Sequence, residues 1–119
     1  MPNKKVKVKK ISVSFRTSSK IVQIMLERVV ADGYGLKGKS RWVTDAVERF
    51  LNMPNYWDLV DIASVQEDLD KAVTCIIPVT LSENLEKALI EVRQHFPSME
   101  GVKSNILRAS ITQRVLQVK

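Results

Sequence analysis

The sequence predicts a mainly α-helical protein with a short two-stranded antiparallel β-ribbon, in which two strand–helix–helix repeats of one chain pair as an intramolecular pseudo-dimer. Three observations carry this expectation. Two segments, Lys10–Phe15 and Val73–Leu81, alternate strictly between an inward and an outward set of side chains, the mark of half-buried strands. Each is followed by two stretches whose apolar residues recur at helical spacing. The last helix of each half opens on the same pair, Lys39-Ser40 and Lys103-Ser104.

The 119 residues suffice for one compact domain or for two small units that share a core. A hydrophobic fraction of 45% is ordinary for a globular chain. No apolar run approaches the roughly 18 to 20 residues that cross a bilayer. The N-terminal lysines have no apolar segment behind them, which argues against a secretory signal. A single cysteine, Cys75, excludes an internal disulfide and a cysteine-built zinc site, and a single histidine, His95, leaves no histidine cluster. The expected setting is cytoplasmic, in a bacterium or archaeon or on a mobile element. Net charge is +6 and unevenly spread: residues 1–49 carry 12 Lys and Arg against 4 Asp and Glu, while residues 50–119 carry 7 against 9. A basic half of this kind points to a polyanion, nucleic acid before anionic membrane. No strongly amphipathic basic helix supports the membrane.

Taken in order, residues 1–9 read as a basic arm with Lys4, Lys5, Lys7 and Lys9. The first repeat spans 10–51. Its strand puts Ile11, Val13 and Phe15 on one face and Lys10, Ser12 and Ser14 on the other. Thr17, Ser18 and Ser19 offer helix caps, and Ile21, Ile24, Met25 and Val29 form an apolar stripe that ends at Asp32-Gly33. Ser40 is the expected cap of a second helix, with Val43, Ala46, Val47, Phe50 and Leu51 inward until Pro54 stops it. Residues 52–72 form an acidic connector, where the capping-box spacing of Ser64 and Glu67 suggests a short helix. The second repeat spans 73–119: a strand to Leu81, a helix capped by Ser82, and a last helix with Ile106, Leu107, Ile111 and Val115 inward. Aligning Ile11–Phe15 with Ile77–Leu81 gives an offset of 66 residues, and aligning Lys39–Val43 with Lys103–Leu107 gives 64.

The alternating strand, its polar outer face and the Lys-Ser turn resemble the ribbon-helix-helix superfamily, which includes the methionine and Arc repressors. The resemblance covers residues 10–51 and 73–117. It implies that the ribbon enters the major groove of duplex DNA. Lys10, Ser12 and Ser14 would then face base edges, with Ile76, Pro78 and Thr80 from the second strand. Pro78 requires either a non-hydrogen-bonded position or a break in pairing. The resemblance also implies phosphate contacts at each second helix, from Lys39, Ser40 and Arg41 and from Lys103, Ser104 and Asn105. The basic arm follows the backbone or a minor groove, or is a solvated tail.

Trp42 and Trp57 read as packing residues, Cys75 as a buried thiol and His95 as a surface residue. The sequence holds no nucleophile–base pair, carboxylate pair, phosphate-binding glycine loop or metal cluster, so neither catalysis, cofactor nor small-molecule substrate is expected. The expected function is duplex DNA binding, as a transcriptional regulator or as an accessory factor of plasmid partition or conjugation, with copies of the chain on adjacent sites as further partners. The alternative is a protein-interaction module that kept the fold without sequence-specific DNA binding.

Overall fold

The computed structural model describes residues 9–117. Two strands, β1 (Lys10–Thr17) and β2 (Lys71–Pro78), form an antiparallel sheet. Five helices make up most of the remainder: α1 (Ser19–Ala31), α2 (Lys39–Leu51), α3 (Tyr56–Ser64), α4 (Val79–His95) and α5 (Val102–Leu116). The chain is therefore mainly helical with a two-stranded ribbon.

Alternation decides which face of the ribbon is covered. Val13, Phe15 and Thr17 of β1 and Val73, Cys75 and Ile77 of β2 are buried beneath the helices. The opposite face carries Lys10, Ser12, Ser14 and Arg16 beside Ala72, Thr74 and Ile76, all exposed. An isolated two-stranded ribbon is marginal in water, so its stability comes from this one-sided apolar contact. Val79 donates its N–H to the Lys9 carbonyl at 2.9 Å, and in the register Ile11 faces Ile77 and Ser14 faces Thr74. Because hydrogen-bonded and non-hydrogen-bonded pairs alternate, every exposed-face pair is of the second kind. Pro78, opposite Lys10, thus lies where no ladder N–H is needed.

Each outer edge of the ribbon receives one contact from a helix. The Ile76 N–H, which points away from β1, is accepted by Ser40 Oγ of α2 at 3.0 Å. The Arg16 carbonyl, which points away from β2, accepts Arg108 Nε of α5 at 2.8 Å. These contacts blunt the open edges that would otherwise recruit another strand.

Helix α5 lies at the centre, with Asn105 through Ile111 and Arg114 all buried. Its two arginines reach backbone carbonyls and short-range partners. Arg114 donates to the Trp42 carbonyl at 2.8 Å and to Tyr34 Oη at 3.0 Å, and lies 3.8 Å from Asp32 Oδ2. Asp32 also accepts Trp42 Nε1 at 2.9 Å and is 3.6 Å from Arg28. This cluster ties the end of α1 and the start of α2 to α5.

Several boundaries differ from the sequence expectation. The second strand ends at Pro78, and α4 begins at Val79, three residues before Ser82. Val79 and Leu81 continue the alternation only by coincidence. Leu81, Leu85, Ala88 and Val92 follow helical spacing and are the buried residues of α4. Thr80 therefore belongs to a helix and not to the ribbon. The buried positions of the strands match at an offset of 60, pairing Val13, Phe15 and Thr17 with Val73, Cys75 and Ile77, in place of 66. The offset of 64 does match the buried positions of the second helices: Trp42, Val43, Ala46, Val47 and Phe50 align with Ile106, Leu107, Ser110, Ile111 and Arg114. Gly38, not Ser40, is the N-cap of α2. Within the connector, Ser64 ends α3 and does not begin a helix; its hydroxyl donates to the Asp61 carbonyl at 2.6 Å.

Candidate nucleic-acid interface

The open face of the ribbon places Lys10, Ser12 and Ser14 in one exposed row, with Ile76 across from Ser12 and 52% exposed. Two further residues complete it. Arg16 continues the β1 row, and Thr74 faces Ser14, their hydroxyls 2.8 Å apart. Both follow from carrying the even parity along the full strands: a first strand ended at Phe15 cuts off Arg16, whereas Thr74 lies within the expected second strand on the same parity as Ile76. Arg16 Nε donates to the Leu69 carbonyl at 2.9 Å, which steadies the side chain at one end of the ribbon. Lysine, arginine and hydroxyl groups on one surface present donors to groove edges and to phosphates. Thr80 is exposed but sits on α4, and Pro78 is half-buried where the ribbon ends.

The start of α2 lies against the outer edge of β2 through the Ser40–Ile76 contact. Its N-cap is Gly38, with no side-chain cap bond and no acidic residue in the first turn. Glycine is required there by close approach: a Cβ would lie 2.3 Å from the Tyr34 carbonyl oxygen. The first-turn N–H groups thus have no capping side chain, and backbone N–H groups at a helix start favour an anion. Arg41 is exposed over the Tyr34 ring, 5.6 Å from its centroid, and Lys39 is half-buried beside it. Ser40 uses its hydroxyl oxygen on the ribbon edge and keeps its O–H to donate.

The start of α5 is the counterpart on the β1 side, capped by Gly101 in the left-handed region at φ 62°. Ser104 is half-buried and lines a groove of about 420 Å³ together with Ser14, Arg16, Ala72 and Arg108. Lys103 is engaged by Glu86 at 3.6 Å. Asn105 departs from the expected phosphate contact. It is 5% exposed, its amide donates to the Glu100 carbonyl at 3.0 Å, and its carbonyl accepts from Arg108. Asn105 is committed to capping and to holding an arginine, because it falls on the inward side of a helix buried almost all round.

Of the basic arm, Lys9 is exposed next to the ribbon, whereas Lys4, Lys5 and Lys7 lie outside the described residues. At the other end of the ribbon, Asp70 accepts the Ser19 backbone N–H at 3.0 Å and the Ser19 hydroxyl at 3.1 Å. The Ser19 backbone bond, with a smaller contribution from Arg16, holds the Asp70 carboxyl below the usual carboxylate range. Cys75 is buried within the ribbon's covered face, and burial pushes its thiol up. Trp42 is fully buried, and His95 is exposed and stacked on Trp57 with ring centroids 4.1 Å apart. Among the described residues no group of three His, Cys, Asp or Glu side chains is placed to hold a metal, and no helix is long and apolar enough to cross a membrane.

No family model, no curated protein and no solved structure matches this chain.

Proposed function

We propose that the chain is a tandem ribbon-helix-helix protein, its two repeats forming an intramolecular pseudo-dimer, and that it binds duplex DNA by inserting the ribbon into the major groove. The observation that carries this reading is the open ribbon face. Lys10, Ser12, Ser14, Arg16 and Thr74 share one exposed surface, flanked by a helix start that bears Lys39 and Arg41. The repeated burial pattern supports the pseudo-dimer, since offsets of 60 and 64 bring equivalent positions of both halves into one core. The Ser14–Thr74 pair sits on the pseudo-twofold axis, because those positions are at once partners in the register and equivalents at an offset of 60. DNA occupancy of this kind serves transcriptional regulation or an accessory role at a plasmid origin, partition or transfer site.

The test is a titration of labelled random-sequence duplex DNA at two salt concentrations. About five phosphate contacts predict a roughly 500-fold loss of affinity between about 50 and 200 mM salt. Lys10→Ala/Ser12→Ala/Ser14→Ala is expected to keep the fold and lose most of the binding. Absence of binding at low salt would refute the proposal. It would then favour a protein-interaction module, a reading supported by Ile62 of α3 and Val65 just past its end, 65% and 75% exposed beside α5.

A further inference from the structure

We infer that the DNA grip is one-sided: the flank formed by the start of α2 anchors the duplex, while Glu86 and Asp70 hold back the flank formed by the start of α5. The inference rests on the DNA-binding reading above and concerns how that surface is polarised. The two flanks are identified by their contacts. Ser40 joins the start of α2 to the β2 edge at Ile76, and Arg108 joins α5 to the β1 edge at Arg16. They occupy opposite sides and opposite ends of the ribbon.

Equivalent positions differ in charge in a consistent sense. At an offset of 60, Lys10 of the first repeat corresponds to Asp70 of the second; in the first helices, where Val22, Met25 and Val29 match Leu85, Ala88 and Val92 at 63, uncharged Gln23 corresponds to Glu86. At 64, Lys39 corresponds to Lys103 and Arg41 to Asn105. On the α2 flank, Lys37, Lys39 and Arg41 have no carboxylate within 4.0 Å among the described residues. On the α5 flank, Glu86 lies 3.6 Å from Lys103, both solvent-accessible at 61% and 37%, and Asn105 is turned inward. Asp70 stands at the Arg16 end of the ribbon, where equivalence to Lys10 would have put a cation. Arg16, Lys20 and Lys71 remain as exposed cations there, beside Glu67, Asp68 and Asp70.

A carboxylate beside a lysine adds a negative charge where a phosphate would approach, so the pair releases less counterion than a free lysine. Each phosphate neutralised contributes about 0.9 to the salt slope in B-DNA, or about 3.5-fold in affinity between 50 and 200 mM salt. The consequence for recognition is a target without palindromic symmetry, held on one side.

The experiment measures the salt slope on a random-sequence duplex of about 25 base pairs, roughly 85 Å and so longer than the 51 Å extent of the protein, for wild type and four variants. Lys39→Ala is expected to lower the slope by about 0.9, and Lys103→Ala by less than about 0.3. Glu86→Gln/Asp70→Asn keeps side-chain shape and the acceptor for Ser19, and is expected to raise the slope by about 0.9. Adding Lys103→Ala to that pair should remove the gain, which separates release of Lys103 from a general change in net charge. A single cooperative thermal transition well above the assay temperature checks that each variant is folded. Equal losses from Lys39→Ala and Lys103→Ala, or no gain from Glu86→Gln/Asp70→Asn, overturn the one-sided grip while wild-type binding stands. A wild type that ignores the duplex overturns this inference together with the reading beneath it.

Discussion

Replacing Arg114 by methionine is expected to destabilise the fold by about 3 kcal/mol, because this side chain joins α5 to the other half of the molecule. The guanidinium is 6% exposed and faces Asp32, itself 4% exposed. It donates to the Trp42 carbonyl and to Tyr34 Oη, and lies 4.5 Å from the Trp42 ring centroid. Two hydrogen bonds to a charged donor contribute about 1.5–3 kcal/mol each. Methionine fills much of the volume and returns about 1–2 kcal/mol of apolar transfer. The difference, about 3 kcal/mol, corresponds to a fall of roughly 10 °C in Tm for a chain of this size. Asp32 keeps Arg28 and Trp42 Nε1 as partners, which places the loss at the lower end of the range for a broken buried pair. Urea denaturation followed by tryptophan fluorescence measures it, and Arg114→Lys should recover only part, since lysine keeps the charge without the fork. A loss below about 1 kcal/mol, or coupling to Asp32→Asn below about 0.5 kcal/mol in a double-mutant cycle, would refute the account.

Two smaller predictions concern titration and reactivity. The Asp70 carboxyl is held low in the folded protein, chiefly by the Ser19 N–H, so its contribution is complete above about pH 4 and is lost as pH falls through the folded value. Asp70→Asn should flatten the dependence of the urea midpoint on pH below about pH 4, and an unchanged acid slope would count against that bond. Cys75 is buried and its thiol is pushed up, so an aromatic disulfide reagent at about pH 8 should label it only on unfolding. Labelling at the rate of a free thiol would show that the covered face of the ribbon opens.

The ribbon's inner and outer faces were legible in the sequence because Ile11, Val13 and Phe15 alternate with short polar residues, and period two has one structural solution. The end of the second strand was not, since Val79 and Leu81 satisfy strand and helix spacing at once. The bond from the Val79 N–H to the carbonyl of Lys9, 70 positions earlier in the chain, is the last rung of the ladder, and beyond it Leu81, Leu85, Ala88 and Val92 are buried at helical spacing. For α3 the sequence suggests only a short helix somewhere in the connector; Ser64 and Glu67 have the spacing of a cap, but Tyr56, Val60 and Ala63 supply the buried stripe. Asn105, Arg108 and Arg114 were out of reach for another reason. Charged and amide side chains read as surface, and their burial depends on acceptors at Glu100, Arg16 and Trp42 that no local pattern reveals.

The placement of arginine explains why the basic character of the first half and the near-neutrality of the second belong to one design. The second half directs Arg108 and Arg114 inward, one onto the Arg16 carbonyl at the end of β1 and the other onto the Trp42 carbonyl in the first turn of α2. Those two carbonyls belong to the elements that carry Lys10, Ser12, Ser14, Lys39 and Arg41 on their outer surfaces. A donor buried in α5 therefore fixes where an exposed group of the first half stands, without adding charge to the surface. The two classes of substitution should separate cleanly. Removing Lys39 or Arg41 deletes a surface cation and leaves the scaffold intact. Removing Arg114 leaves every surface cation present but loosens the turn from which Lys39 and Arg41 project, so stability and surface geometry change together.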